Sequence, residues 1–314
     1  MKGAAAYLEL YHCGELATRI ERAKAILESC EICPRQCQAN RLAGEVGKCR
    51  TEARAIVSSY GPHFGEESPL VGSRGSGTIF FTNCNLRCVF CQNYSISQLG
   101  EGREVTREEL AAMMLSLQRT GCHNINLVSP THVVPQILEA LELAIARGLS
   151  LPLVYNSGGY DSVATLKLLE GIVDIYMPDM KYSDDEIARQ YSGIENYPAV
   201  NRAAVKEMHR QVADLQIDEQ GVGTRGLLVR HLVLPHGLAG TQKTVRFLAE
   251  GISLNTYLNV MAQYRPCHKA SQFPLLSRSI TREEFLEAVD LARQQGLQRL
   301  DRLHSPAAVR ILFL

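Results

Sequence analysis

The sequence predicts an α/β fold, a partial (β/α)6 barrel preceded by a small cysteine-rich region. From residue 78 onward, short apolar runs alternate with amphipathic helices, which favours a parallel sheet, either open and doubly wound or curved into a barrel. Polar and glycine-rich segments follow each predicted strand, as they do at the active rim of a barrel. The chain has ten cysteines, most of them in two clusters, one in each predicted part. These observations favour the barrel.

Composition excludes several classes of protein. The chain has 314 residues, of which 46 % are hydrophobic, so it can bury a substantial core. Its 33 basic residues balance 33 acidic ones, so the net charge predicts no nucleic-acid or anionic-membrane partner. No apolar run approaches the roughly 18 residues of a membrane span, and the first residues do not form a secretory signal. We therefore expect a cytoplasmic protein whose cysteines bind metal or react rather than form disulfides.

Residues 1–70 are predicted to form an N-terminal helical, metal-binding domain. The segment "ELATRIERAKAILES" places four apolar residues on one helical face: Leu16, Ile20, Ala23 and Leu27. A loop rich in turn formers and cysteines follows. The segment "SPLVGSRGSG", residues 68–77, is typical of a linker. Residues 71–314 then form the predicted barrel domain.

Six strands and the helices between them are predicted in the second part. The strands are "TIFFT", "INLV", "LPLVY", "VDIYM", "LLVRHLVL" and "LNTYLNVM". Two helices begin with the same capping box, Thr106 with Glu109 and Thr281 with Glu284. Another helix follows Thr131 and ends before Gly148. The order of strands and helices predicts parallel pairing throughout.

The segment "TNCNLRCVFCQN" directly follows the first predicted strand and carries Cys84, Cys88 and Cys91. Thiolates favour soft metals, and the spacing differs from that of bacterial ferredoxins and of two-by-two zinc sites. Three cysteines on one loop would hold three irons of a [4Fe–4S] cube and leave the fourth iron open. A zinc or ferredoxin-like site is the alternative.

This cysteine pattern, with Phe90 before the last cysteine, resembles the radical S-adenosylmethionine superfamily. Two further segments resemble the pyruvate formate-lyase activating enzyme branch: "VDIYMPDMKY", with Met177, Asp179 and Lys181, and "LLVRHLVLPHG". The resemblance is closest to homologues of that enzyme that also carry N-terminal cysteines. It implies a [4Fe–4S] cluster, S-adenosylmethionine and an electron donor such as flavodoxin or ferredoxin.

The resemblance also implies roles for individual residues. Phe90 would pack beside the adenine, and Arg230 would neutralise the methionine carboxylate. Asn156, Ser157, Asp179 and Lys181 would line the ribose and methionine side. The alternatives are an outward-facing Arg230 and a structural Asp179–Lys181 ion pair.

One segment departs from the family pattern. The second strand of the family usually ends in Gly-Gly-Glu, which contacts the methionine amino group, whereas this chain reads "NLVSPTHVVP". Ser129, Thr131, His132 or nearby carbonyls would have to make that contact.

Four more cysteines have chelating spacing: Cys30, Cys33, Cys37 and Cys49. Gly44 and Gly47 would let the loop fold back so that the last cysteine closes the site. Four thiolates predict a structural or electron-relay centre, either zinc or iron–sulfur. Unligated thiols are the alternative.

Two further residues are weaker site candidates. Cys267, in "QYRPCHKA", follows the sixth strand beside cationic groups that favour a thiolate, so a catalytic role is one reading and an idle cysteine the other. His236, in "LPHG", is a candidate cofactor or substrate contact.

Three functions follow from these patterns. The first is a radical enzyme that abstracts hydrogen from a protein or peptide through a 5′-deoxyadenosyl radical. The second is a radical enzyme that acts on a small metabolite or nucleotide. The third is a non-enzymatic iron–sulfur redox sensor.

Overall fold

The computed structural model describes residues 5–301, so residues 302–314 of the predicted barrel domain lie outside the described part. The described part contains nine strands: β1 (Ala55–His63), β2 (Ser76–Phe81), β3 (Arg103–Val105), β4 (Ile125–Val128), β5 (Leu153–Ser157), β6 (Ile175–Pro178), β7 (Gln216–Ile217), β8 (Gly223–Leu232) and β9 (Tyr257–Met261). The α-helices of the same part are α1 (Tyr7–His12), α2 (Glu15–Ala25), α3 (Ser68–Val71), α4 (Tyr94–Ser97), α5 (Arg107–Thr120), α6 (Val134–Ala146), α7 (Val163–Leu168), α8 (Asp185–Ser192), α9 (Tyr197–Val212), α10 (Thr241–Gly251) and α11 (Arg282–Gln294).

Six parallel strands form the arc of a partial barrel, in the order β2, β4, β5, β6, β8 and β9. Each predicted strand overlaps one of these six, so the predicted fold class is confirmed. Within residues 5–301, β2 and β9 are not paired with each other, and the arc stays open between them. Because all six strands run the same way, their carboxyl ends meet at one rim.

The strand β1 was not predicted, and it extends this sheet. It runs antiparallel to β2, and β3 pairs antiparallel to β1 on the other side. The segment predicted as a linker contains α3 and the start of β2. The division of the chain at residue 70 therefore stays a prediction, since a strand on its N-terminal side shares the barrel's sheet.

Both predicted capping boxes are present. The Thr106 side chain accepts a hydrogen bond from the Glu109 amide, while the Thr106 amide donates to the Glu109 carboxylate at 2.8 Å. Thr281 and Glu284 repeat this arrangement at α11. Each box satisfies two backbone amides that a helix start leaves free, and such a cap contributes about 1 kcal/mol.

The helices cover the sheet with apolar faces. The predicted face of α2 is buried, including Leu16, Ile20 and Ala23, and Leu27 is buried in the 3-10 turn that follows. Val134, Leu138 and Leu141 of α6 are fully buried. No helix among residues 5–301 is both long and apolar enough to cross a membrane.

Candidate active site

A cavity of about 210 Å³ opens at the carboxyl ends of the barrel strands. Every parallel strand contributes to it, either from its own last residues or from the loop that follows. Its lining includes Cys84, Cys88, Cys91, Ser129, Asn156, Ser157, Asp179, Lys181, Arg230, Met261 and Gln263. The structure thus brings together most of the residues that the sequence predicts for one site.

The loop after β2 presents its three cysteines with hydrogen-bond donors at each sulfur. The Leu86 amide donates to Cys84 Sγ at 3.4 Å, and the Ser192 hydroxyl donates to Cys88 Sγ at 2.9 Å. Cys91 Sγ lies 3.2 Å from the Ser97 hydroxyl. Donors aimed at sulfur stabilise thiolates, the form that binds metal.

Burial disfavours the thiolate forms of Cys84 and Cys91 by raising the pKa of both thiols. Burial raises the pKa of Cys84 to about 12, backbone amides oppose this, and the charges of Cys88 and Cys91 raise it further. Three thiolates held close together therefore need a cation between them, and an iron–sulfur cluster supplies one. Among the described residues, no three His, Cys, Asp or Glu side chains are grouped closely enough to hold a single metal ion. A cluster does not require that grouping, since each cysteine binds a different iron, so the donor set fits it.

Opposite the cysteines, a buried network of charges lines the cavity. Asp179 Oδ2 accepts from Lys181 Nζ at 2.5 Å, and Asp179 Oδ1 accepts from Arg230 Nε at 2.7 Å. Burial alone would raise the pKa of Asp179, but the charges of Arg230 and Lys181 hold it below its usual value. The carboxylate therefore stays ionised and fixes two cations at the cavity wall.

Arg230 points inward, which excludes the outward-facing reading. Its Nη2 donates to the Asn156 side chain at 2.7 Å, and its Nη1 lies 3.8 Å from the Glu67 carboxylate. The guanidinium thus contacts three elements at once and sets the positions of Asn156 and Asp179.

Ser157 lines the cavity, while Thr131 lies behind the lining. Both hydroxyls donate to the buried Asp161 carboxylate at 2.6 Å, and the Tyr155 hydroxyl also donates to it. Of the residues after β4, Ser129 is the one that reaches the cavity, with a positive φ of 58°. His132 is turned toward the Thr82 carbonyl. Burial, and to a smaller extent the charge of Arg41, lowers the pKa of His132 to about 4.

Phe90 is buried at the cavity wall between two tyrosines. Its ring meets Tyr182 and Tyr264 edge to face, at centroid distances of 6.2 and 5.8 Å. Such contacts hold the ring in one orientation, so Phe90 gives the cavity a fixed apolar wall.

The loop "NSGGYD" approaches the end of β6 more closely than a side chain would permit. Gly159 has a φ of +74°, and a Cβ there would collide with the Asp179 carbonyl. Asn201 donates to the carbonyls of both Gly159 and Asp179 at 2.9 Å. The glycine and Asn201 therefore tie the two cavity-lining loops together.

Besides Thr131 and His132, two predicted residues lie outside the cavity lining. His236 lines a separate hollow with Thr241 and Lys243, and its backbone amide donates to Glu284. Cys267 is half-buried in a loop that packs on the three-cysteine loop after β2, where the Lys269 amide donates to the Val89 carbonyl at 2.9 Å. Neither residue lines the cavity that contains the three cysteines.

The four N-terminal cysteines lie near one another. Burial raises the pKa of Cys33 to about 12, the Arg35 amide opposes this, and the charges of Cys49, Cys30 and Cys37 add to it. The Lys48 amide donates to Cys37 Sγ at 3.3 Å. A Cβ on Gly47 would come within 2.8 Å of that sulfur, so glycine lets the loop fold back as the sequence predicts.

Some residues at the site carry no local sequence signal. Glu66 and Glu67 lie in the loop between β1 and α3 and act electrostatically on Arg230 from about 160 residues away in the chain. Asp161 and Asn201 belong to ordinary polar stretches. A charged pair such as "EE" before a helix is usually solvent-exposed. The sequence therefore does not indicate that Glu67 is buried, and only the tertiary structure shows it.

Two curated proteins are similar to this chain in sequence. An uncharacterised protein of Methanocaldococcus jannaschii is 33 % identical over 291 residues, which is 90 % of this chain and 79 % of that protein. The pyruvate formate-lyase-activating enzyme of Clostridium pasteurianum is 24 % identical over 255 residues, or 76 % of this chain and 94 % of that enzyme. The second likeness supports the activating-enzyme branch only weakly.

Among solved structures, a radical SAM methyltransferase from Sphaerobacter thermophilus has a TM-score of 0.50 and 16 % identity. The match covers 72 % of this chain and 66 % of that one, so this chain spans just under two thirds of the methyltransferase. At this identity the likeness shows a shared fold.

A family model described as the Radical SAM superfamily matches residues 78–248, more than half of the chain. The match includes the three-cysteine loop and the strands as far as β8. Enzymes of this superfamily use a [4Fe–4S] cluster and S-adenosylmethionine and require an electron donor. The chain belongs to the radical SAM superfamily.

Proposed function

We propose that this enzyme abstracts hydrogen from a protein or peptide substrate, in the manner of an activating enzyme. The observation that carries the radical chemistry, for either substrate class, is the cavity itself, where three cysteines and the Asp179–Lys181–Arg230 network converge at one rim. When bound, the cluster and S-adenosylmethionine supply reductive cleavage to methionine and a 5′-deoxyadenosyl radical.

The chain's own residues would bind and orient the two cofactors and shield them from solvent. Cys84, Cys88 and Cys91 would hold three irons and leave the fourth open to the cofactor. Lys181 and Arg230 supply positive charge for the methionine carboxylate, and Asp179 keeps both in place. These three residues are largely buried, so their charges act with little screening by water.

Other residues would hold the rest of the cofactor. Phe90 offers an apolar wall for the adenine, and Asn156 and Ser157 offer polar groups for the ribose. Ser129 is the candidate for the amino-group contact, because it alone of the residues proposed after β4 lines the cavity. Thr131 would act through Asp161 and Ser157.

Two features support a polymeric substrate. The relative from Clostridium pasteurianum is named for activating pyruvate formate-lyase, which is a protein. The arc between β2 and β9 is open within the described residues, and an extended chain could enter the rim from that side. We further propose a flavodoxin or ferredoxin as electron donor, a cytoplasmic location, and a second metal held by Cys30, Cys33, Cys37 and Cys49.

Anaerobic assay of S-adenosylmethionine cleavage tests the reaction. The protein is reconstituted with iron and sulfide, reduced and mixed with S-adenosylmethionine, and 5′-deoxyadenosine is quantified beside a Cys84→Ala control. Nucleoside formed by the unmutated protein alone supports a radical enzyme. No nucleoside from an intact, reduced cluster, with a deuterated cell extract present, would favour a redox sensor.

The same extract tests the substrate class. It is divided into a protein fraction and a small-molecule filtrate, and each is added to the reduced enzyme. Deuterium in 5′-deoxyadenosine after addition of the protein fraction supports a protein or peptide substrate. Deuterium from the filtrate alone contradicts that part of the proposal and favours a metabolite.

A further inference from the structure

Arg41 is a fully buried cation in the loop that carries the four N-terminal cysteines. It lies in a 3-10 turn, Arg41–Ala43, between the third and fourth of these cysteines. Its side chain is 0 % exposed, although arginine is among the residues least often buried unless paired. The position of this charge requires a physical explanation.

Neutral groups and one sulfur surround the guanidinium. Nε and Nη2 donate to the Glu52 carbonyl at 3.1 and 2.8 Å, and Nη1 donates to the His132 carbonyl at 2.8 Å. Nη1 also lies 3.9 Å from Cys30 Sγ. Among residues 5–301, no carboxylate lies within 4.0 Å of this guanidinium. Its hydrogen bonds are satisfied, but its charge has no ionic partner in that range.

A buried charge without a counter-charge is destabilising by several kcal/mol. Four thiolates around an oxidised [4Fe–4S]²⁺ core carry a net charge of −2. Such a centre next to Arg41 would compensate the charge of the guanidinium. The reasoning is applied to a cluster, because no three His, Cys, Asp or Glu side chains of residues 5–301 are grouped closely enough for a single metal ion.

The remaining sulfurs of the loop already accept hydrogen bonds from backbone amides. The Arg35 amide donates to Cys33, and the Lys48 amide donates to Cys37 Sγ at 3.3 Å. With Arg41 beside Cys30, three of the four sulfurs face N–H groups. Donors of this kind orient ligands and lower the charge on thiolate sulfur, as they do around metal–thiolate centres.

We propose that Arg41 is the buried counter-cation of a thiolate metal centre formed by Cys30, Cys33, Cys37 and Cys49. This rests on the second metal of the proposed function and deepens it. Arg41 is a positioning residue: its guanidinium lies beside Cys30 Sγ, where it would offset the charge of the centre, and it joins the centre to the end of the loop after β4 through the His132 carbonyl.

Retention of an iron–sulfur cluster by a protein that lacks the barrel cluster tests this proposal. The full-length Cys84→Ala, Cys88→Ala, Cys91→Ala protein is reconstituted anaerobically with iron and sulfide, and the bound iron and the rate of iron loss to a chelator are measured. Arg41→Met should release iron about 10- to 100-fold faster, as changes around metal ligands weaken metal binding. Arg41→Lys keeps the charge and should retain most of the cluster.

Arg19→Met is the matched control. Arg19 is also largely buried and donates to a backbone carbonyl, but it has a carboxylate partner, Glu15 at 3.1 Å. It lies outside the loop that carries the four N-terminal cysteines. We expect its rate of iron loss to equal that of the parent.

The thermal stability of the same proteins separates a charge role from a packing role. In the metal-free protein, Arg41→Met removes an uncompensated charge and should not lower Tm, while in the cluster-loaded protein it should. An equal loss of Tm in both states, or an unchanged rate of iron loss, overturns the proposal. Absence of any bound metal overturns both this inference and the second metal, whereas 5′-deoxyadenosine formation tests the barrel separately.

Discussion

Replacing Asp179 with Asn tests whether buried charges organise the cavity. The Asp179 carboxylate contacts Lys181 at 2.5 Å and Arg230 at 2.7 Å, and its side chain is only 10 % exposed. Asn has nearly the same size but no charge. Two buried cations then lose their shared partner, and Glu67, at 3.8 Å from Arg230, remains beside the guanidinium.

The expected loss of stability is about 3 kcal/mol. Removing one member of a buried ion pair costs about 3–5 kcal/mol when the other charge is left alone. Arg230 keeps its hydrogen bond to Asn156 and its contact with Glu67, which favours the lower limit. For a chain of this size the loss corresponds to a fall in Tm of about 6 °C.

Urea and thermal unfolding of the metal-free protein measure this loss. Glu186→Gln is the control, since Glu186 pairs with Arg189 on an exposed helix face, where an ion pair contributes about 0–1 kcal/mol. An equal effect of the two substitutions would refute the reasoning, because Asp179 would then be no more important than a surface charge. S-adenosylmethionine should also bind the Asp179→Asn protein more weakly.

The pH dependence gives a second measurement of the same residue. The neighbouring cations hold the pKa of Asp179 below its usual value despite its burial. The native state therefore binds fewer protons than the unfolded state as the pH falls toward that of an ordinary carboxyl, about 3.9. The stabilisation is complete above that pH and is lost as the pH falls through the folded-state pKa. Asp179→Asn should lack this acid-induced loss.

Four further outcomes are expected. Cys88→Ala should abolish both the absorbance of the barrel cluster and 5′-deoxyadenosine formation, and residual formation would contradict the ligand assignment. Cys33→Ala should lower the bound metal count while cleavage of S-adenosylmethionine persists at least in part; complete loss would indicate an electron-relay or folding role. Gly159→Ala should fail to fold or lose several kcal/mol, because its Cβ meets a backbone carbonyl, whereas Gly148→Ala, with open space around it, should lose less; equal Tm changes would contradict this. Burial lowers the pKa of His231 to about 4, so this residue should contribute a fall in folding stability of about 2 kcal/mol between pH 7 and 5 as unfolded chains take up the proton, beside a similar contribution from His132; His231→Gln should flatten that part of the urea-midpoint profile, and an unchanged slope would contradict it.

Several features of this protein are local in the chain and could be predicted from the sequence. Strand-sized apolar runs alternate with capped helices, and right-handed connections between parallel strands leave few arrangements for such a series. The two capping boxes need only residues three apart. Cysteine spacing is local as well, since Cys84, Cys88 and Cys91 occupy a single loop. These signals were sufficient for the fold class, the cysteine loop and the superfamily.

Other features depend on which distant segments meet. The strand β1 was missed because "AIVSSYGPH" contains a Gly-Pro pair that reads as a turn, yet pairing with β2 holds it extended. After β4 the chain leaves regular structure, so no period indicates that Ser129 faces the cavity while Thr131 and His132 turn away.

The charges around Arg230 show the same limit. The sequence indicates that an arginine inside an apolar strand needs a partner, but it cannot name Asp179, Asn156 and Glu67. They come from three other segments, brought together when the barrel curves. Local sequence thus determined the elements and the metal-binding loop, while tertiary structure decided which side chains share the interior, because only curvature and close packing bring those segments within hydrogen-bonding distance.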